Sequence, residues 1–275
     1  MLATLPSGWH APAWSVLRVE GADAVSFVNN LSTNDVKKLA VGDACETLFT
    51  DVKGRVVRHA VACRRDAGLD IVVTSANAEA LREHLDRYHI RETLTLSLAP
   101  ELDALVAWGD ETMGDAFGLS TLGEKATLRL VDSEADRPSG EEVSADHFHA
   151  VRIAHRFPLD GVDIDGKTLP QELGRDDRLI SFTKGCYLGQ ETVARLDALG
   201  QVNRLLTVVE AAGGLSAGDA LYDGEKQVGA VTTVGALADK GMLALAYVRR
   251  EKALAGGEVS VGGEAGRAAK IIPPS

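Results

Sequence analysis

The 275-residue chain has only three cysteines, Cys45, Cys63 and Cys186, scattered and odd in number. No C-x-x-C or Cys/His spacing marks a zinc site or a resident iron–sulfur cluster, and no disulfide framework is indicated, so a reducing compartment fits best. Long apolar runs are also missing. No stretch is long enough to cross a bilayer, and "MLATLPSGWH" has neither a basic region nor an apolar one of the targeting kind. A cytoplasmic location is the resulting expectation. Basic charge is scarce as well: 29 Lys and Arg stand against 40 Asp and Glu, a net charge of −11. A general nucleic-acid binder needs surplus cations to displace phosphate counterions, so this balance argues against that class. A local basic pocket for a small anion remains compatible with it.

What is present is an ordinary globular balance, 45% hydrophobic and 25% charged, in a chain long enough for two compact units. "WSVLRVEGADAVSFVNNLSTNDV" reads as a strand, a turn at Gly21 and a short helix with Val25, Val28 and Leu31 on one face. "ACETLFTDVKGRVVRHAVACRR" reads as a β-hairpin turning at "DVKG". "LDIVVTS" has the character of a buried strand. It precedes an amphipathic helix over "NAEALREHLDRYHI", capped by Asn77 or Ser75. "TLTLSLA", "ALVAWG", a short helix around "ETMGDAFG" and "ATLRLVD" continue the mixture, which points to α+β rather than a doubly wound parallel sheet. After the polar loop "DSEADRPSGEEVSADHF", helical periodicity resumes in "FHAVRIAHRFPLDG". Beyond Gly200 short strands alternate with Gly- and Asp-containing turns, and the only helix is around "REKALA". That pattern predicts a small all-β barrel or sandwich, with a boundary near 200–204.

The stretch "TKGCYLGQETVARLDALG" holds the third cysteine. A helix from Leu188, with Leu188, Ala194, Leu196 and Leu199 as core positions and Gly200 as its left-handed stop, places Cys186 at or just before the helix N-terminus. The N–H groups there and the Lys184 cation favour a thiolate, and Gly185 would let the backbone turn and leave the sulfur accessible. The plainer reading is a small buried hydrophobe, the usual fate of a lone cysteine. His147, His149 and His155 all lie upstream, and sequence alone pairs none of them with the sulfur.

"SFTKGCYLGQETVAR" closely resembles the K-G-C-[FY]-x-G-Q-E signature of the YgfZ family, folate-binding relatives of the glycine-cleavage T protein (aminomethyltransferase). "GADAVSFVNNLSTNDV", "FTDVKGRVV", "VRIAHRFPLDGVDIDGKTLPQE" and "LALAYVRR" resemble further blocks of that family, in order, over nearly the whole chain. The resemblance implies a T-protein-like α+β fold. Residues 1–202 would form a folate-binding region of two α/β subdomains around a central channel, dividing near 90–100, and residues 203–275 a C-terminal β-barrel. It implies tetrahydrofolate or a derivative as cofactor, and iron–sulfur proteins or their assembly machinery as partners, with tRNA-modifying enzymes served through them.

Carried over by position, Cys186 and Lys184 become the functional pair, with Gln190 and Glu191 beside them. Trp14 and Phe148 fall on folate-contacting aromatic positions, Glu172 on a glutamate near the pterin and Arg152 on a basic position. Asn34 and Asp35 fall beside the channel. Unaided, the same residues read as core aromatics (Trp14, Phe148), a turn or cap pair (Asn34, Asp35) and a surface ion pair (Arg152, Glu172). Arg58 and His59 stand where the T protein carries an acidic pair, so the resemblance does not extend to glycine-cleavage activity. The family's "AG" after "RI" is His155-Arg156 here. Arg55, Arg58 or Arg156 could serve a polyglutamate tail. The leading expectation is a folate-binding accessory protein for iron–sulfur cluster assembly or repair; the alternative is a folate-dependent one-carbon transferase. Direct tRNA binding ranks last because of the net charge.

Overall fold

A computed structural model describes residues 7–274 apart from 112, 124, 139, 141, 200, 237–240, 264 and 265. The chain opens with β1 (Gly8–His10), β2 (Ser15–Glu20) and α1 (Ala24–Leu31). The hairpin β3 (Ala44–Thr50) and β4 (Val56–Arg65) follows, then β5 (Gly68–Val73) and α2 (Ala78–Asp86). Next come β6 (Thr95–Leu98), β7 (Asp103–Trp108), β8 (Phe117–Gly118) and β9 (Thr127–Val131). Three helices cross the middle: α3 (Ala145–Ala154), α4 (Asp176–Leu179) and α5 (Gln190–Leu199). The last part holds β10 (Arg204–Ala211), β11 (Ala220–Asp223), β12 (Lys226–Ala236) and β13 (Met242–Arg249), then α6 (Arg250–Ala255), β14 (Gly257–Val261) and β15 (Arg267–Ile272).

Two open sheets and a barrel result. The first sheet has the order β3-β4-β5-β2-β6, the second β1-β7-β9-β8, and β10-β13-β12-β11-β14-β15 close on themselves. Strand alternation explains why the first sheet is covered on both faces. Along β2 and β5, Val16 and Val72 join Trp14, Val106, Trp108 and Phe148 on one side. Leu17, Val19, Ile71 and Val73 pack against Phe27, Val28 and Leu31 of α1 and Leu81 and Leu85 of α2 on the other. The same alternation docks the barrel. Leu205, Val209 and Ala211 of β10 point into it, while Leu206 and Val208 pack outward on Ile153, Leu173, Leu179 and Val193.

The α+β reading, the hairpin and the barrel with its helix at "REKALA" hold, and Asn77 caps α2 by accepting from Ala80 N at 3.2 Å. Two local expectations do not. The sequence pattern did not foresee β1, which belongs to the second sheet and pairs with β7 (Trp9 opposite Ala107), a contact too distant in sequence for periodicity to reveal. Around "ETMGDAFG" the described residues turn instead of forming a helix. Gly114 and Asp115, the latter at φ 50, suit a turn leading into β8. Helix α5 starts at Gln190 and buries Val193 rather than Ala194, which is exposed; Leu196 and Leu188 are half-buried. The Leu199 side chain and the stop at Gly200 lie outside the described residues.

Candidate functional site

The signature loop is bound along the C-terminal end of α1. Thr33 Oγ1 donates to Leu179 O at 2.6 Å, and Ser181 N donates to Thr33 O at 3.0 Å. Leu188 N donates to Asn30 O at 3.0 Å, and Thr50 Oγ1 donates to Leu188 O at 2.5 Å. Asn34 Nδ2 bridges Glu46 O (2.9 Å) and Arg178 O (2.8 Å).

Lys184 completes this clamp. Its ammonium donates to three carbonyls, Asn29 O (2.6 Å), Ser32 O (2.7 Å) and Asn34 O (2.7 Å), and lies 5.2 Å from the centre of the Tyr187 ring. The last carbonyls of a helix lack intrahelical donors and carry partial negative charge, and α1 has no basic residue in its own last turn. Lys184 therefore caps α1 from far along the chain. Burial pushes its ammonium down to about 8, against the pull of Asp35. Asp35 itself is also paired with Lys38, at 3.1 Å.

Lys184 and Tyr187 point inward, whereas Gly185 and Cys186 are exposed. Gly185 has open space where a Cβ would be and an ordinary φ, so the turn there does not demand glycine. The required glycine is Gly189, at φ +82, where an added Cβ would meet Asp51 O at 2.5 Å. With Gly54, whose own Cβ would meet that of Thr192 at 2.8 Å, it lets the β3–β4 turn nest against the start of α5. Cys186 stands in the loop ahead of α5, outside its first turn. The Lys184 cation expected to assist the sulfur is committed to the carbonyls. Gln190 is half-buried at the helix start, and Glu191 is exposed in the first turn, where a carboxylate suits the helix dipole. Among the cysteines, Cys63 is buried, Cys45 is half-buried and only Cys186 is exposed. Burial pushes the Cys45 thiol up to about 12 and raises Cys63 well above its ordinary range.

The second feature is a cleft of about 570 Å³ where the second sheet, the end of α3, the 174–178 turn and the barrel's last strand meet. His155, Arg156, Arg175 and Arg178 line it, together with Thr121, whose buried hydroxyl has no partner. Arg156 follows the last turn of α3 in the left-handed region (φ 54), a conformation in which glycine is the usual residue. Arg178 donates to Ser120 O at 3.1 Å. Burial, then Arg175 and Arg178, lower the pKa of His155, and burial followed by Arg175 lowers that of Arg156. Three guanidinium groups thus gather in the cleft beside one lining carboxylate, Asp177, which pairs with Arg178 at 3.4 Å, while Arg175 is held by Glu46 from behind.

Behind it lies a closed ionic network. Arg175 holds both oxygens of Glu46 (3.2 and 2.5 Å), and His59 sits between Glu46 Oε1 (2.8 Å) and Thr74 Oγ1 (2.9 Å). Burial pushes Glu46 upward, but Arg175 and His59 outweigh it and hold the carboxyl at about 2.

The remaining sequence-derived residues divide between core and ion pairs. Trp14 and Phe148 do come together, edge to face at 6.0 Å, but inside the core, 7% and 2% exposed; neither lines the cleft. Arg152 and Glu172 do not pair with each other. Arg152 is fully buried against Asp163 (2.7 Å), and Glu172 takes a two-pronged contact from Arg204 (3.0 Å each). Asp163 also accepts from Leu159 N and from Thr232 and Thr233 of β12, so it ties α3 to the barrel. Arg55 and Arg58 line a separate cavity, where Arg58 faces Asp160 at 3.5 Å. Sequence reasoning missed Arg175 and Arg178; the only signal for them was a polar run with no periodicity of its own.

No protein-family model matches the chain. Among curated proteins it is similar to an iron-sulfur cluster assembly factor IBA57 homolog, mitochondrial, of Phaeosphaeria nodorum, 29% identical over 76% of this chain and 56% of that one. It is similar to the mouse iron-sulfur cluster assembly factor IBA57, mitochondrial, 27% identical over 86% of this chain and 76% of that one. A third relative is the tRNA-modifying protein YgfZ of Colwellia psychrerythraea, 24% identical over 74% of this chain and 72% of that one. The matches span only about half the length of the fungal relatives, 56% and 50% for two of them. Among solved structures, the glycine cleavage system aminomethyltransferase T from Bartonella henselae superposes with a TM-score of 0.74 at 16% identity, covering 98% of this chain and 85% of that one. The resemblance read from the signature and its flanking blocks therefore holds: the chain is a homologue of the YgfZ and IBA57 proteins, built on the aminomethyltransferase fold.

Proposed function

We propose that the protein is a folate-binding accessory factor that supports iron–sulfur cluster assembly or repair and, through it, tRNA-modifying enzymes, with Cys186 as its functional thiol. The observation that carries this reading is the way Cys186 is presented. It is the exposed cysteine of the three, on a loop that Lys184 and Gly189 pin to the first sheet's α1 and hairpin. A thiol that served only packing would need no such mounting, and the neighbouring polar groups would have no reason to leave it in solvent. Lys184 is a positioning residue in this account.

Tetrahydrofolate has flat rings and an acidic glutamyl tail. The guanidinium groups of Arg156 and Arg178 fit the tail, and the unpartnered Thr121 hydroxyl fits a polar group near it. Trp14 and Phe148 do not fit as stacking platforms, being packed on each other, with Trp14 also stacked on Phe157 and Phe148 on His10. Bound there, the cofactor would supply a carrier for one-carbon units. The transferase alternative has less behind it, because Arg58 and His59, which replace the acidic pair, are engaged by Asp160 and Glu46.

Calorimetric titration with tetrahydrofolate and 5-formyltetrahydrofolate tests the folate part. Saturable binding, weakened about tenfold by Arg178→Ala at unchanged thermal stability, is expected. No binding by the folded protein, or binding indifferent to Arg178, would sink it.

A further inference from the structure

A further cavity, of about 430 Å³, lies between α4, α5 and the start of β10 and shares Gly174 and Asp177 with the cationic cleft. Its polar lining is of the opposite sign to the cationic cleft. Asp176, Asp177 and Asp197 face it, with the amides of Gln171 and Gln201. Gln171 is 8% exposed, and its Nε2 donates to Val193 O at 2.8 Å, which fixes the amide and leaves Oε1 buried without a partner. Asp176 Oδ1 is likewise buried with no hydrogen bond. Unsatisfied acceptors of this kind are rare in folded proteins because each forfeits its hydration for nothing. Leu196, Val202 and Leu205 supply an aliphatic wall.

We propose that this cavity is a binding site for an organic cation, an alkylammonium or guanidinium group on an aliphatic stem, received by Gln171 Oε1 and the carboxylates of Asp176 and Asp197 and walled by Leu196, Val202 and Leu205. Several observations select this class. The unpartnered acceptors are oxygens, and with Asp177 paired to Arg178 at 3.4 Å the carboxylates left for a ligand are Asp176 and Asp197, so the ligand is a donor and positive. Among the described residues no group of three acidic, histidine or cysteine side chains converges tightly enough for a metal ion, and the volume is far larger than an ion needs. The aliphatic wall would be wasted on a hydrated ion but fits the carbon stem of a lysine or arginine side chain or of a polyamine. The one cation at the rim, Arg250, is turned to Gln201 Oε1 at 2.9 Å and leaves Asp176 and Asp197 uncompensated. Burial, then Asp197 and Asp177, push the Asp176 carboxyl up to about 6, as expected for a charge that lacks its counter-ion. Asp197 lies on the helix that leaves the signature loop, so a partner's basic side chain seated here would dock about 10 Å along α5 from its start. The site stands independently of the folate and thiol roles.

The test is calorimetric titration of the full chain with spermidine, N-acetyl-lysine methylamide and N-acetyl-arginine methylamide, with calcium and magnesium chloride as the metal arm. Saturable one-to-one binding of at least one organic cation is expected, weakened about tenfold or more by Asp176→Asn and by Asp197→Asn. The two variants keep shape, and thermal unfolding verifies that they fold. Preference for the acetylated amino acids would identify a protein side chain as the source of the cation, and preference for spermidine a free polyamine. Binding of the metals alone, binding unaffected by both variants, or no saturable binding by any probe would overturn the proposal.

Discussion

The loop around Lys184 and the cavity around Asp176 treat a buried charge in opposite ways. At Lys184 the ammonium nitrogen has three carbonyl oxygens within 2.7 Å, and with Leu188 N, which donates to Asn30 O, it closes the end of α1. At Asp176 the buried carboxylate oxygen has no partner and two further aspartates nearby. The first charge is internal structure; the second is one half of an interaction. The comparison also separates residues that sequence grouped together. Lys184 and Cys186 share one signature, yet one is spent inward on α1 and the other is left in solvent.

The sharpest way to break this contrast is at the most completely satisfied charge. Asp163→Ala leaves Arg152, which is wholly buried, without its counter-ion and removes the tie to Thr232 and Thr233. A loss of about 3–5 kcal/mol is expected in urea unfolding, with the barrel affected as much as α3. Lys184→Met removes one donor group from three carbonyls while keeping most of the stem's bulk. A loss of about 2–3 kcal/mol is expected by the same method, and a loss below about 0.5 kcal/mol would mean that the clamp is ornamental.

Acid offers a third handle. Glu46 is held at about 2 in the folded protein, below its ordinary 4.5, so its contribution is complete above pH 4.5 and lost as the pH falls through about 2. Glu46→Gln should flatten the stability profile over that window, as read from urea midpoints at successive pH values. At Asp176 the sign reverses. Its folded carboxyl is raised to about 6 from 3.8, so stability falls as pH rises through that interval. Asp176→Asn should therefore be neutral or stabilising at pH 7, by under about 1 kcal/mol since the group is partly exposed, and so opposite in sign to Lys184→Met.

The contrast also marks what could be read from sequence. Strongly periodic elements were legible: the β3–β4 hairpin, α2 with Asn77 at its cap, and the short strands of the barrel each announce themselves in neighbouring residues. Contacts spanning the chain were not. β1 pairs with β7, Lys184 caps α1, and Arg175 reaches Glu46, all by routes that local spacing does not encode. Position in a signature named Lys184 and Cys186 together, but only the fold tells which way each points. Trp14 and Phe148 behave as their plain reading as core aromatics suggests, both being buried in the core between the two open sheets. The cationic cleft depends on Arg175 and Arg178, at the N-cap and within the single turn of α4, which is too short to show a periodicity, so its charge became visible only in three dimensions.

The loop is proposed to hold the Cys186 thiol in solvent for use. The most direct test of this role is an iron–sulfur enzyme activity measured in cells that lack their own protein of this kind and are supplied with the wild type or with Cys186→Ala. The exposed substitution should change folding stability by no more than about 0.5 kcal/mol. Restoration by the wild type and failure by the folded Cys186→Ala protein is the predicted result. Full restoration by Cys186→Ala would contradict the account.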